Sequence, residues 1–393
     1  MNVSRIAFAL FFLALVNVMN AQTMTTDAKF SKFKETFRSE IAEAGIVGGG
    51  FVFVRENKTV AEDHYGVANI ETNRRVDADT IYHWASNTKP FTGIAIMQLR
   101  DRGLLRLDDP VTKYVPELRR IHNSFGSMDE ITIGHLLTHS GGFRGGTWPW
   151  RNNKPWEPFE PTEWSQLVAM FPFTEVLFKP GSKFSYSNPG IVYLGRTIEV
   201  ITGEAYETYI DKNIFRPLGM TRSFFDTTPP HLLKHRSHSY YVRDGKRTEG
   251  RFDADTGITV SNSGLNSPIS DMVRYLNFLM GDPTRQAEYD AVLKRTSLEE
   301  MWEPRLKAEL DSNGNRGFTT DIGLIYFVDV RDNRKFVGHG GDQNGFLSFI
   351  DIEPATRQAS IIVMNTNVSY PANTPAEKDV SARLRNSVRA LYR

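Results

Sequence analysis

Strand-patterned segments crowd the two ends of this 393-residue chain and leave the middle to helices. Near the start, Ile46 to Val54 and Lys58 to Ala68 read as strands, with Glu56-Asn57 as the turn between them. The pattern returns late, in Thr319 to Val328, Lys335 to Gly338, Gly345 to Ile352 and Gln358 to Asn365, joined by short turns such as Asp332-Asn333. Neighbouring strands joined by tight turns must be antiparallel. The expected fold is therefore α+β: one antiparallel sheet built from both chain ends, flanked by helices over Asp27 to Ala44 and Ala376 to Tyr392, with a mainly helical region from about Ser86 to Gly281 inserted. Residues 22–393 read as one domain of two lobes, an α/β lobe over about 27–85 and 315–393 and a helical lobe over about 86–314. The lobes would share a cleft, and Ser86 lies at the sequence boundary between them.

Charge narrows the partners. Lys plus Arg number 47 against 46 Asp plus Glu, with no basic stripe, which argues against nucleic acid and acidic membrane surfaces. A small-molecule or peptide substrate is the remaining expectation. There is no cysteine, so disulfides, a thiol nucleophile and thiolate metal sites are excluded. The N-terminus carries Arg5, an apolar run from Ile6 to Val16, and Met19-Asn20-Ala21 before Gln22. That is the layout of a secretory signal peptide over residues 1–21, and the run falls short of the ~20 residues that span a bilayer. The expected location is periplasmic or secreted, with no stable membrane insertion after cleavage.

Ser86-Asn87-Thr88-Lys89 is the strongest chemical signal. Ser and Lys three apart on a helix share one face, and a Lys whose amine is held neutral can take the hydroxyl proton. Ser31-Lys32-Phe33-Lys34 fits the same spacing but lies in a polar, Lys-rich segment that reads as a solvated face. Ser86 instead precedes the apolar Phe91, Ile94, Ile96, Met97 and Leu99, with Gly103 as the closing cap. We read Ser86 as the N-cap of that helix, with Pro90 as its fourth residue.

Two further patterns carry polar groups toward a cleft. Tyr186-Ser187-Asn188 lies in a loop bracketed by glycines and prolines, where residues two apart in extended chain point the same way. Tyr275-Leu276-Asn277 matches the pattern but sits on an amphipathic helix. His339-Gly340-Gly341 ends a predicted strand, Phe336-Val337-Gly338, its glycines allowing close approach of a substrate backbone. His64-Tyr65-Gly66 and His139-Ser140-Gly141 are discounted by position.

In this order, Ser86 and Lys89, then Tyr186 and Asn188, then His339-Gly340-Gly341 resemble the three motifs of the serine β-lactamase and penicillin-binding-protein superfamily. The closest likeness is to the class C β-lactamase-related branch of esterases, D-aminopeptidases and D,D-peptidases. Leu107 to Val111, Ile131 to Gly142, Pro217 to Met220 and Ser263 to Ser267 extend the resemblance over nearly all of the chain after the leader. It implies a β-lactamase-like fold and an acyl-enzyme on Ser86, with Lys89 and Tyr186 sharing the base role and Asn188 orienting Lys89 and the substrate. It also implies an oxyanion site of the Ser86 and Asp342 backbone N–H groups, and neither metal nor cofactor. The departure is at the third motif, where true class C enzymes resemble Lys-Thr-Gly. A histidine in place of a permanent ammonium shifts the expectation toward a small ester or peptide amide. A β-lactamase, a D,D-carboxypeptidase and a non-catalytic sensor of peptidoglycan or β-lactam are the alternatives.

Two features stay outside this chemistry. Trp148, Trp150, Trp156 and Trp164 could rim a substrate pocket or pin a long loop. His231, His235 and His238 have metal-like spacing but follow Pro229-Pro230 without a supporting carboxylate.

Overall fold

Positive φ at both Glu56 (48°) and Asn57 (64°) makes the first turn of the kind that matches the twist of a hairpin. It joins Gly48–Arg55 to Lys58–Asn69. This computed structural model describes residues 28–146, 161–253, 255–308, 321–331, 333–370 and 374–392. Trp148, Trp150, Trp156, the expected signal peptide over residues 1–21 and Asp332 of the expected Asp332-Asn333 turn lie outside them.

Among the described residues the main sheet has nine strands. Their order is Arg74–Arg75, Lys58–Asn69, Gly48–Arg55, Gln358–Met364, Phe346–Glu353, Arg334–Gln343, Phe327–Arg331, Asp321–Ile322 and Leu306–Lys307. All neighbours are antiparallel. The seam between early and late strands is fixed by Phe51 opposite Ile362 and Phe53 opposite Ser360. Phe51, Val52, Phe53, Val54, Ile361 and Ile362 are all buried, so both faces of these central strands are covered. Helix Ile269–Met280 lies on one face: a Cβ on Gly50 would stand 2.8 Å from Ile269 Cδ1.

The inserted region is helical where the pattern predicts it, in Lys89–Asp101, Asn188–Thr202 and Ile269–Met280. Phe91 joins two of its pieces, packing on Tyr275 at 4.4 Å and edge-on to Phe215 at 5.5 Å. Short strands not anticipated from sequence also occur here. Ile81–His83, Leu265–Pro268 and Phe224–Phe225 form one small sheet; Thr366–Val368, Tyr240–Arg243 and Lys246–Glu249 form another.

Three local expectations need correction. Ser86 is not an N-cap: it lies inside a 3₁₀ turn, Ala85–Thr88, that leads directly into helix Lys89–Asp101 and puts Pro90 in the helix's first turn. His339-Gly340-Gly341 does not end its strand but lies within it, because the strand runs on to Gln343. Asn188 is the first residue of a helix rather than a loop residue, and the Ser187 hydroxyl caps that helix by accepting from Gly190 N–H at 3.2 Å.

By internal contacts the chain divides into two compact units, residues to Gly45 with Thr374–Arg393, and Ile46–Asn373. In the first, the helix over residues 28–43 is tied to Val380–Arg389 by Arg383 and Glu40. Ser31 is exposed there, as a solvated face requires. All the site residues discussed below belong to the second unit. No helix among the described residues is long and apolar enough to cross a membrane.

Candidate active site

The turn that carries Ser86 is built from backbone strain and polar pins. Ala85 has φ 48°, a left-handed conformation that costs a non-glycine residue free energy and persists only when its surroundings fix it. They do so here from several directions. Trp84 N–H donates to Leu265 O, Trp84 Nε1 donates to Ser267 O, and the Thr88 hydroxyl bridges Ala85 O and Leu265 N–H. On the sheet side, Asn87 Nδ2 donates to Ser348 Oγ at 2.8 Å. Ser86 is thereby left partly exposed among buried neighbours. Its N–H falls in the first turn of the 3₁₀ segment, where helix geometry supplies no acceptor.

Lys89 is fully buried. Its Nζ lies 2.9 Å from Ser86 Oγ and donates to Asn262 O at 2.9 Å. Burial drives its pKa well below the ordinary lysine value. The expected Asn188 partner is not among its hydrogen bonds; the second anchor is the Asn262 carbonyl, at the end of the short helix Val260–Ser263. Asn188 Oδ1 is buried with no hydrogen-bond partner.

Tyr186 completes the group. Lys89 Nζ lies 4.9 Å from the centre of its ring. Burial raises the phenol's pKa, with a hydrogen bond to Ser86 opposing the rise, so the phenol is protonated at neutral pH. Phe327 stacks near it at 6.4 Å, and His339 lies 6.2 Å away.

The strand Arg334–Gln343 forms the wall opposite. Phe327–Arg331 pairs with it only as far as Gly338; His339 to Gln343 pair with Phe346–Ile350, and among the described residues Gly340 to Gln343 have no strand on their other side. A peptide-like ligand can meet that open edge. His339 is buried against Phe327, and its Nδ1 lies 2.6 Å from Gly340 O. Gly341 has a structural reason beyond substrate approach: a Cβ there would stand 2.1 Å from Trp84 O. The wall and the Ser86 turn are thus in backbone contact. Asp342 follows, its carboxylate accepting from Asn367 Nδ2 at 2.6 Å.

The structure brings two more histidines to this site, His139, which sequence reasoning discounted, and His83, which it did not consider. His83, three residues before Ser86, lies 3.0 Å from both Asn266 Oδ1 and Gln343 Oε1, and so ties the end of the wall to the Ser86 side. Burial, aided by Arg236, lowers its pKa to about 4, so at pH 7 the neutral ring donates to only one of these two side chains. His139 stacks on Tyr186 with ring centres 4.5 Å apart. Its position inside the Ile131 to Gly142 stretch was the available signal. Trp164 is accounted for by packing on Phe171 and Tyr193. Among the described residues no group of three or more His, Asp or Glu side chains could hold a metal ion.

The chain matches the beta-lactamase family model over residues 33–384. It is 24% identical over 348 residues to Protein flp of Staphylococcus aureus strain N315, covering 88% of this chain and 65% of that protein. It thus spans about two thirds of the length of that relative. A putative D-alanyl-D-alanine carboxypeptidase of Escherichia coli K12 is 28% identical over 197 residues, 48% of this chain and 45% of that one. The octameric penicillin-binding protein homologue of Pyrococcus abyssi superposes with a TM-score of 0.73 at 25% identity, covering 91% of this chain and 77% of that one. The Yersinia pestis beta-lactamase/D-alanine carboxypeptidase gives 0.73 at 19% identity, covering 93% and 99%.

Proposed function

The chain belongs to the beta-lactamase family, and from that premise we propose that it is a serine hydrolase that forms an acyl-enzyme on Ser86, acting on a small ester or peptide amide. The observation that carries this reading is a fully buried Lys89, its pKa driven well below the ordinary lysine value by burial, whose Nζ lies 2.9 Å from the Ser86 hydroxyl. A neutral amine has two donors and one lone pair. With one N–H committed to Asn262 O, the lone pair is free to turn to Ser86 Oγ and take its proton. Lys89 is the base that takes the Ser86 proton; Tyr186, protonated at rest, gives its proton to the leaving group and is reprotonated by the proton held on Lys89, which restores both groups. We assign the tetrahedral oxyanion to the backbone N–H groups of Ser86 and Asp342, as the family resemblance implies; one such donor is worth ~10²–10³ in rate. Asn188 Oδ1, buried and unpaired, is the acceptor for a substrate N–H.

His339 supports the preference for substrates without a carboxylate. Its ring is buried against Phe327 and Tyr186, so the third motif offers no permanent ammonium. A D,D-carboxypeptidase is the second reading, favoured by the carboxypeptidase relatives and by an open strand edge suited to an extended peptide. The apolar run Ile6 to Val16 and the lack of cysteine support an exported protein.

Ser86→Ala is the test. The variant is expected to fold, since the lost hydroxyl contributes about 1 kcal/mol, and to lose hydrolysis of p-nitrophenyl acetate and labelling by a fluorophosphonate. Wild-type labelling persisting in Ser86→Ala would end the assignment. Turnover of a fluorescent penicillin or a D-alanyl amide faster than the ester would favour the second reading.

A further inference from the structure

One residue outside the three motifs holds Tyr186 at three points. The His139 carbonyl accepts from Ser185 N–H at 2.8 Å, and its Nδ1 accepts from Ser187 N–H at 3.1 Å. These are the two N–H groups on either side of Tyr186. The imidazole itself lies on the phenol ring, 29° from parallel. Carbonyl and ring face the same segment because His139 has φ 53°, a left-handed conformation that asparagine and histidine tolerate better than most residues. The residue is 1% exposed.

The hydrogen bond to Ser187 also fixes the ring's chemistry. An Nδ1 that accepts places the remaining proton on Nε2 and leaves the imidazole neutral. Burial pushes its pKa well below the ordinary histidine value, in agreement with that tautomer. Nε2 is buried without a hydrogen-bond partner, so polar satisfaction alone does not account for a histidine here.

We propose that His139 is the positioning residue of Tyr186: it brackets the tyrosine through the backbone N–H groups on both sides and sets the plane of the phenol, aiming the hydroxyl at Ser86. The proposal rests on the serine-hydrolase reading. His139 hydrogen-bonds to neither Ser86 nor Lys89, so it acts through Tyr186 alone.

The test is a double-mutant cycle on ester hydrolysis, with fluorophosphonate labelling of Ser86 measured in parallel. His139→Ala is expected to lower kcat by about 30- to 100-fold with KM changed less than about threefold, the scale of a misplaced reacting group. His139→Asn keeps an acceptor and tolerates the backbone, and is expected to recover kcat to within about tenfold of wild type. In a Tyr186→Phe background the His139→Ala loss should shrink to less than about threefold, because the group being aimed is gone. An equal loss in both backgrounds, or wild-type kcat in His139→Ala, overturns the proposal. Should His139→Ala not fold, the cycle is run with His139→Asn, expected to lose about three- to tenfold in the wild-type background and nothing beside Tyr186→Phe. An unlabelled Ser86 in the wild type overturns the hydrolase reading and this proposal together; a labelled Ser86 with an undiminished loss beside Tyr186→Phe overturns the positioning alone.

Discussion

Lys89 trades stability for reactivity. An ammonium in a fully buried position is unfavourable, and the protein holds the amine there with two hydrogen bonds. Lys89→Met, of similar volume, is expected to abolish turnover yet raise stability by about 1–3 kcal/mol at pH 7. The sign with pH follows from its lowered pKa. Between that value and the unfolded one, ~10.4, the unfolded chain binds more protons, so wild-type stability rises with pH there. The advantage of Lys89→Met should therefore be largest in acid and narrow toward alkali, which urea titrations from pH 5 to 10 would show; a constant gap would mean that Lys89 stays charged. At this scale the sequence disclosed Ser86 and Lys89, because a spacing of three on a helical turn fixes their geometry. It did not disclose His139 or the Asn262 carbonyl. A left-handed φ and a backbone acceptor leave no mark in residue spacing.

The strand Arg334–Gln343 shows how an element can be read short. Its second half, His339-Gly340-Gly341-Asp342-Gln343, lacks the β-branched residues that signal a strand, so the pattern stops at Gly338. The strand continues because those five residues pair with Phe346–Ile350, and because a residue without a Cβ is required where it passes the Trp84 carbonyl. The two glycines are then unequal. A Cβ at Gly341 meets backbone at 2.1 Å, whereas at Gly340 the nearest atom is Phe349 Cδ1 at 3.5 Å, an ordinary contact. Gly341→Ala is expected to lose about 1–3 kcal/mol and at least about tenfold in Ser86 labelling rate, since the strand must move off the Ser86 turn. Gly340→Ala should stay within about 1 kcal/mol of wild type. Thermal melts of the two variants that coincide would contradict this account of the wall.

At the scale of the whole molecule the sheet joined from both chain ends was legible, because hairpins with tight turns leave few alternatives. The two small sheets were not: a two-residue strand such as Phe224–Phe225 has no period, and Thr366–Val368 pairs parallel with Tyr240–Arg243 from far along the chain. The site depends on such distant pairings. Val47 N–H donates to Thr366 Oγ1 across 319 positions, and Asn87 reaches Ser348 across 261. A chain ended after Glu353 keeps Ser86, Lys89, Tyr186 and His339 but loses Gln358–Met364, the strand between Gly48–Arg55 and Phe346–Glu353. It is expected to show no fluorophosphonate labelling and weakly protected amides throughout the sheet; labelling at the wild-type rate would refute this. The seam therefore acts as a timer. While the ribosome is still adding residues before Gln358, the wall Arg334–Gln343 and its partner Phe346–Glu353 are not yet joined to the Gly48–Arg55 hairpin, and the unfinished polypeptide is expected to be chemically silent. Reactivity of Ser86 is expected only once Gln358–Met364 is in place, so that synthesis itself would delay the chemistry until the sheet is closed.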